Sequence, residues 1–293
     1  MNRISAFHRF TTLSICMMMA VISAHAASQK PHVAIKTPAV GEGVKDYANR
    51  YLNRETLLSE MEASLLATRK FDVLSRKKST MSAVREEQKF SKSDYASGNA
   101  AKEGQLSSAN FLLIPVVQDF KFYRISKSVP NMDDKYTRQD FGMLEVAVQI
   151  IDTTTNSIKT TFYMKDSFST AKQVVNKKGG APSSVHFTKL SKKVAAQMAD
   201  QLVDIVFPMK VLSRKNKQVF INRGKDGGLK VGSVLNVYEP GEQLIDPDTG
   251  ESLGATEEFA GKIKVVRINP KFTIAEIKSE SMPIEKGSIV RKP

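Results

Sequence analysis

The stretch Leu144-Glu145-Val146-Ala147-Val148-Gln149-Ile150-Ile151-Asp152-Thr153-Thr154-Thr155-Asn156-Ser157-Ile158 decides the fold class. Leu144, Val146, Val148 and Ile150 alternate with Glu145 and Gln149, the period of a half-buried strand. Asp152 to Asn156 is a turn, and alternation resumes from Ile158 to Asp166, which predicts an antiparallel hairpin. Upstream, Ala109-Asn110-Phe111-Leu112-Leu113-Ile114-Pro115-Val116-Val117 is a near-continuous apolar run, read as a buried strand. Pro115 there signals a bulge or an edge.

Working outward, Leu57, Leu58, Met61, Leu65 and Leu66 share one face of a helix over 52–68. It is flanked by strand candidates at Val33-Ala34-Ile35 and Phe71-Asp72-Val73-Leu74, giving strand–helix–strand. The Lys/Ser-rich region 76–108 carries a helix near 79–89 and a short one at 100–106. Val194, Met198, Leu202, Ile205 and Val206 align on a helix over 191–206 that Pro208 stops. Short strands at 219–222, 234–238, 261–267, 272–277 and 288–291, with turns at Gly227-Gly228, Gly232, Pro240-Gly241 and Asp246–Gly250, predict a small β-barrel. The expected organisation is a signal peptide over 1–26, an α+β domain over 27–208, a basic linker over 209–217 and the barrel over 218–293.

Residues 1–26 carry Arg3 and Arg9, then the apolar stretch Leu13–Ile22, then Ala24-His25-Ala26, the pattern of a cleavable secretory signal. The apolar stretch is too short to cross a bilayer of roughly 30 Å as a helix. Cys16 is preceded by bulky Ile15, which argues against lipidation at that cysteine. Removal of this segment takes the formal charge from +14 to +12 and removes the chain's single cysteine. The expected location is the periplasm, with or without outer-membrane association. Export turns the basic excess away from nucleic acid and toward anionic envelope polymers or acidic envelope proteins.

No constellation in the sequence supports an enzyme, a cofactor or a metal. His32 and His186 are far apart, and no nucleophile elbow, P-loop or HExxH occurs. Asp246-x-Asp248-x-Gly250 mimics part of a calcium loop and Glu257 falls at its twelfth position. Gly250 and Glu251, however, stand where a ligand and the turn glycine belong, so turn geometry is the preferred reading. The weak partner-binding candidates are charged. Arg76, Lys77 and Lys78 form one basic cluster, and Arg214, Lys215 and Lys217 lead a second in which 210–230 holds seven Lys/Arg and one acid. Asp200 and Asp204, at i and i+4, place two carboxylates on one helix face.

Pieces of 31–208 resemble the CsgG family, the curli secretion-channel proteins and their soluble relatives. They are Thr68-Arg69-Lys70-Phe71-Asp72-Val73-Leu74-Ser75-Arg76, Ala109 to Pro115, Val146 to Thr155, and the helix segment Ala199-Asp200-Gln201-Leu202-Val203-Asp204. The resemblance implies an α/β domain of the anticodon-binding and TolB N-terminal type. The tail resembles the C-terminal domain of the flagellar assembly protein T family through Val219 to Gly224, Gly228 to Gly232, Asp246 to Gly254, and Lys286-Gly287, which implies an SH3-like barrel. Channel members of the CsgG family insert two hairpins per subunit into the outer membrane. The corresponding segments here, Tyr123–Gly142 and Phe168–Phe187, carry Pro130, Asp133, Asp134, Lys135 and Arg138 in the first and only a weak strand in the second. They read as lacking the alternation a spanning strand of roughly 9–11 residues needs.

The expected function is a non-enzymatic periplasmic assembly or binding protein supporting a secretion or appendage system, with homo-oligomerisation implied by the family. Two alternatives stay open: a curli-type export-channel subunit, and a regulator resembling activators of peptidoglycan synthases.

Overall fold

The structure is a computed structural model that describes residues 30–91, 106–248, 250 and 252–293. The expected helix at 100–106 lies almost wholly outside the described residues, as does the expected signal segment.

The chain builds two hydrophobic cores, one per domain. The first belongs to a seven-stranded mixed sheet. Strands β1 (His32–Ile35) and β3 (Asp72–Leu74) pair in parallel, and β1 pairs in parallel with β4 (Phe111–Ser128). β2 (Ala39–Val40) lies beside β4 farther along. β5 (Tyr136–Asp152) and β6 (Ser157–Ser169) complete an antiparallel meander, giving the order β3-β1-β4-β5-β6, and β7 (Gln173–Val175) continues the edge alongside β5.

The helices are α1 (Asp46–Asn49), α2 (Arg54–Thr68), α3 (Lys78–Phe90) and α4 (Ser184–Val206). Leu57, Leu58, Met61 and Leu65 of α2 and Phe187, Leu190, Val194, Met198 and Leu202 of α4 are buried in the sheet's core, which places both helices on its inner face. Asn53 caps α2 by accepting from the Thr56 N–H at 2.9 Å. Arg69, at φ 57°, ends it in the left-handed region.

Pro115 is buried in a central strand, yet it leaves no ladder donor wanting. β1 pairs with β4 only as far as Leu113 and β2 begins at Val116, so the interruption between β1 and β2 falls opposite the proline. The bulge expected at Pro115 sits instead between Val117 and Asp119. It shifts the inward register from Leu113 and Val117 to Phe120 and Phe122.

Two expectations for the membrane-insert segments are corrected. Tyr123–Gly142 is regular ladder at both ends, because β4 runs 18 residues and pairs with β5 out to Ser128↔Tyr136. Its faces do alternate: Tyr123 and Ile125 are exposed while Arg124 and Asp140 are covered. The second segment holds the end of β6, all of β7 and the first turn of α4, which starts seven residues before the expected 191. Ser183 caps it, accepting from Val185 N–H at 3.4 Å, and Phe187 and Leu190 extend its apolar face. Lys177-Lys178-Gly179-Gly180 belongs to the loop between β7 and α4.

The second core fills a closed barrel in the order β10-β11-β12-β9-β8-β13. Its strands are β8 (Met209–Lys215), β9 (Gln218–Ile221), β10 (Val234–Ile245), β11 (Ser252–Ile268), β12 (Thr273–Glu280) and β13 (Ile289–Arg291). The α+β class with a small closed barrel therefore holds. The basic linker expected over 209–217 does not. Met209 and Val211 point into the barrel core while Lys210 and Arg214 face out, and β8 closes the ring between β9 and β13. A strand with charge on its outer face reads in sequence as a charged run. Pro240-Gly241, expected as a turn, lies inside β10 at a register irregularity.

Candidate functional site

Only Phe207 and Pro208 separate α4 from β8, so the barrel must start at the helix's C-terminal end. That end exposes unpaired carbonyls and the negative end of the helix dipole. Arg223, from the loop after β9, fills this position. It donates through Nη2 to Asp204 Oδ1 and to the Phe207 carbonyl, both at 2.8 Å. Arg223 is 2% exposed, the most deeply buried charge in the described chain. Lys292, near the last strand, donates to the other Asp204 oxygen at 2.9 Å. Thr273 Oγ1 holds the Arg223 carbonyl at 2.6 Å.

Two glycines make room for this junction. A Cβ on Gly227 would fall 1.9 Å from Arg223 Cδ, and one on Gly228, at φ 65°, 2.5 Å from Asp200 Oδ2. Burial pushes the Asp200 carboxyl above the usual aspartate range, with Lys292 pulling the other way. Burial likewise lowers the Arg223 guanidinium, opposed by Asp204 and Asp200. The two carboxylates expected as a weak external partner surface thus face the chain's own barrel. Periodicity put them on one face; it carried no information on what packs there.

A second polar cluster lies at the far end of the sheet. Arg124 and Asp140 are direct partners across the β4–β5 ladder and pair bidentately, Nε–Oδ1 at 2.6 Å and Nη2–Oδ2 at 2.9 Å. Both side chains are about one-tenth exposed. The Arg124 guanidinium holds the Asp140 carboxyl below the usual aspartate range. His186 Nε2 lies 3.9 Å from Asp140, and its ring stacks on Phe168 at 5.0 Å. Gly142 leaves the space that Phe168 occupies, since a Cβ there would sit 2.2 Å from Phe168 Cε1. His32, at the opposite end of the sheet, lies 3.8 Å from Asp72. Among the described residues no group of three His, Cys, Asp or Glu is placed to hold a metal.

The basic candidates divide. Lys77 is engaged with Glu62 at 2.7 Å and Ser59 at 3.0 Å. Arg76 donates to the Ser107 carbonyl at 2.8 Å. Arg214 pairs with Glu280 and reaches the Asn216 carbonyl. Lys78, Lys215 and Lys217 are exposed. The structure does not bring the two basic clusters into one patch: one opens α3, the other lies on the barrel wall. Glu257, the twelfth position of the calcium-like loop, is bound bidentately by Arg291 at 2.8 and 2.5 Å. Asp246 Oδ1 accepts from the Asp248 N–H at 2.8 Å, a turn geometry.

The sheet's outer face carries Tyr123 stacked on Phe141 at 5.4 Å beside a groove of about 470 Å3 lined by Lys121, Met143 and Ser167. Two further clefts, of about 550 and 540 Å3, lie at the starts of α2 and α4 and beside His32.

No family model matches the chain, and no curated protein matches it. Solved structures with similarity include the PelC dodecamer from Paraburkholderia phytofirmans, at 15% identity over 58% of this chain and 88% of that one, TM-score 0.28. A hypothetical protein from Chlamydia trachomatis is 16% identical over 58% of this chain and 96% of its own, TM-score 0.32. A minor lipoprotein from Acinetobacter baumannii is 14% identical over 60% and 91%, TM-score 0.27. Scores this low assign neither a fold nor a function to this chain.

Proposed function

We propose that the chain is a non-enzymatic cell-envelope protein of the periplasm, an assembly or binding module for a secretion or appendage system. In this reading the sheet domain is CsgG-like and the barrel SH3-like. The observation that carries it is the Arg223–Asp204 junction. It joins two independently cored domains through an ion pair whose arginine is buried, so docking surfaces on both are presented in fixed relation, as a scaffold requires. The secretory pattern of residues 1–26 supports an envelope location for that scaffold. Its partners are envelope proteins or anionic envelope polymers.

The channel alternative draws on the length of β4 and β5. The ladder beyond the Arg124–Asp140 pair comprises Ile125–Ser128 and Tyr136–Gln139 in regular pairing, against the roughly 9–11 residues a spanning strand needs. The module reading therefore uses the hairpin as folded, whereas a channel requires it to be rebuilt. No helix among the described residues is long and apolar enough to cross a membrane.

Gene deletion and complementation in the native host test the proposal. The expected result is loss of one surface or exported structure, restored by the wild-type chain but not by Asp204→Ala. An unaltered envelope after deletion contradicts it, as does single-channel conductance by the purified chain.

A further inference from the structure

The cleft of about 550 Å3 at the starts of α2 and α4 has an aromatic floor and a charged rim. Phe122 of β4 and Phe187 of α4 are buried beneath it, and Tyr51 packs on Phe122 with ring centroids 5.5 Å apart. Tyr51 and Leu52 are half-buried, which leaves part of their apolar surface on the cleft. An apolar floor with a few polar groups converging on it is the composition of a small-molecule site.

The cations of the rim are unanswered. Arg50 donates through Nε to the Tyr47 carbonyl at 2.9 Å and lies over the Tyr51 ring at 5.2 Å, but among the described residues no carboxylate pairs with it. The Arg54 guanidinium makes neither a hydrogen bond nor an ion pair among the described residues. Elsewhere the chain supplies a carboxylate to its arginines: Asp140 to Arg124, Glu280 to Arg214 and Glu257 to Arg291. Glu55 is the single acid of the lining, so two guanidiniums against one carboxylate leave the cleft positive. The two helix starts make no demand of their own, because Asn53 and Ser183 cap them.

We infer that this cleft binds a small organic carboxylate with an apolar body. The carboxylate accepts from Arg54 and Arg50, whose planar guanidiniums suit it in charge and shape. The body lies on Tyr51, Leu52 and the aromatic floor, taking apolar area out of water. A neutral ligand of the same shape leaves both guanidiniums unanswered, and an inorganic anion leaves the floor wet. Two sources carry this chemistry: the C-terminal end of a peptide that finishes in an apolar residue, and a free acyl acid. The inference goes beyond the scaffold reading and fails or survives separately from it.

Calorimetric titration of the purified chain with N-acetylphenylalanine, its amide, octanoate and inorganic phosphate tests it. At least one of the two organic acids is expected to bind with a Kd of about 1 mM or below. The amide and phosphate should bind at least about tenfold more weakly than that acid. Arg54→Gln should weaken the acid at least about fivefold, and Glu55→Gln should strengthen it about twofold at low salt. Thr188→Trp, which puts an indole into the lining, should weaken it at least about tenfold. Arg54, Glu55 and Thr188 are exposed, and unfolding curves of each variant check that the fold is kept. Binding of N-acetylphenylalanine alone supports the inference and assigns the site to peptide ends; binding of octanoate alone supports it and assigns the site to acyl acids. Failure of both acids to bind overturns it. So does an amide that binds as tightly as its acid, or a folded Arg54→Gln or Thr188→Trp variant that binds the acid as the wild-type chain does.

Discussion

Arg223 of the barrel donates to Asp204 of helix α4 at 2.8 Å while 2% exposed, and Asp204 at about one-third exposed is also held by Lys292. The pair is asymmetric: the cation is buried and the anion is one-third exposed. Asp204→Ala leaves a buried guanidinium with only the Phe207 carbonyl, whereas Lys292→Ala leaves Asp204 satisfied by Arg223. Breaking a buried pair from one side costs about 3 kcal/mol, and an exposed pair contributes about 0.5 kcal/mol. Urea unfolding is expected to show Asp204→Ala destabilised by about 3 kcal/mol, with the single transition splitting as the domains uncouple, and Lys292→Ala within about 0.5 kcal/mol of wild type. Equal losses would contradict this.

Asp200 carries the opposite sign. Its folded pKa is raised, chiefly by burial, so its contribution favours the fold below the ordinary aspartate value of about 3.9 and turns against it as pH rises through the folded value. Asp200→Asn removes the ionised form. It should stabilise the chain by about 1 kcal/mol at pH 7, with the gain shrinking toward pH 4. Thermal melts at both pH values read the difference; a loss at pH 7 would sink the argument.

Asp140 behaves conversely. Hydrogen bonding from Arg124 lowers its folded pKa, so the stability it contributes is present above about pH 3.9 and is lost as pH falls below that toward the folded value. Glu257 and Glu280, lowered by Arg291 and Arg214, fall in the same acid window. Arg124→Met should cost about 3 kcal/mol at neutral pH and flatten the acid limb of the stability curve between pH 4 and the onset of acid unfolding. An unchanged acid limb would show that the pair is not what the sheet domain loses in acid.

Gly142 is a packing glycine in a strand. A methyl there meets the Phe168 ring at 2.2 Å, so Gly142→Ala should destabilise by about 1–3 kcal/mol. Combining it with Phe168→Leu should recover part of that loss, as measured by denaturant midpoint; strict additivity would mean the two side chains do not compete for the same space.

Periodicity was a sufficient guide where one face of an element is buried. Leu144 to Ile150 alternated and formed β5, and the Leu57–Leu65 stripe formed α2, because each needs only a local apolar pattern. β8 was illegible because its inward residues, Met209 and Val211, are outnumbered by Lys210, Arg214 and Lys215 on a strand with a wet outer face. The start of α4 was hidden for a related reason: Ser183, His186 and Lys189 dilute Phe187 and Leu190, and only the cap at Ser183 marks the boundary. Of the candidate site, Asp200 and Asp204 were visible as a pair, but Arg223 was one cation in a basic run. Burial of a single arginine is decided by tertiary packing, and the neighbouring Gly227-Gly228, read as a turn, was the available signal for a close approach.

Fractionation of native cells, with the intact mass of the chain measured in each compartment, tests whether the scaffold is exported to the envelope. The expected result is a chain lacking residues 1–26, beginning at Ala27, in the periplasmic or envelope fraction. A chain retaining residues 1–26 and partitioning with cytosolic enzymes would contradict it.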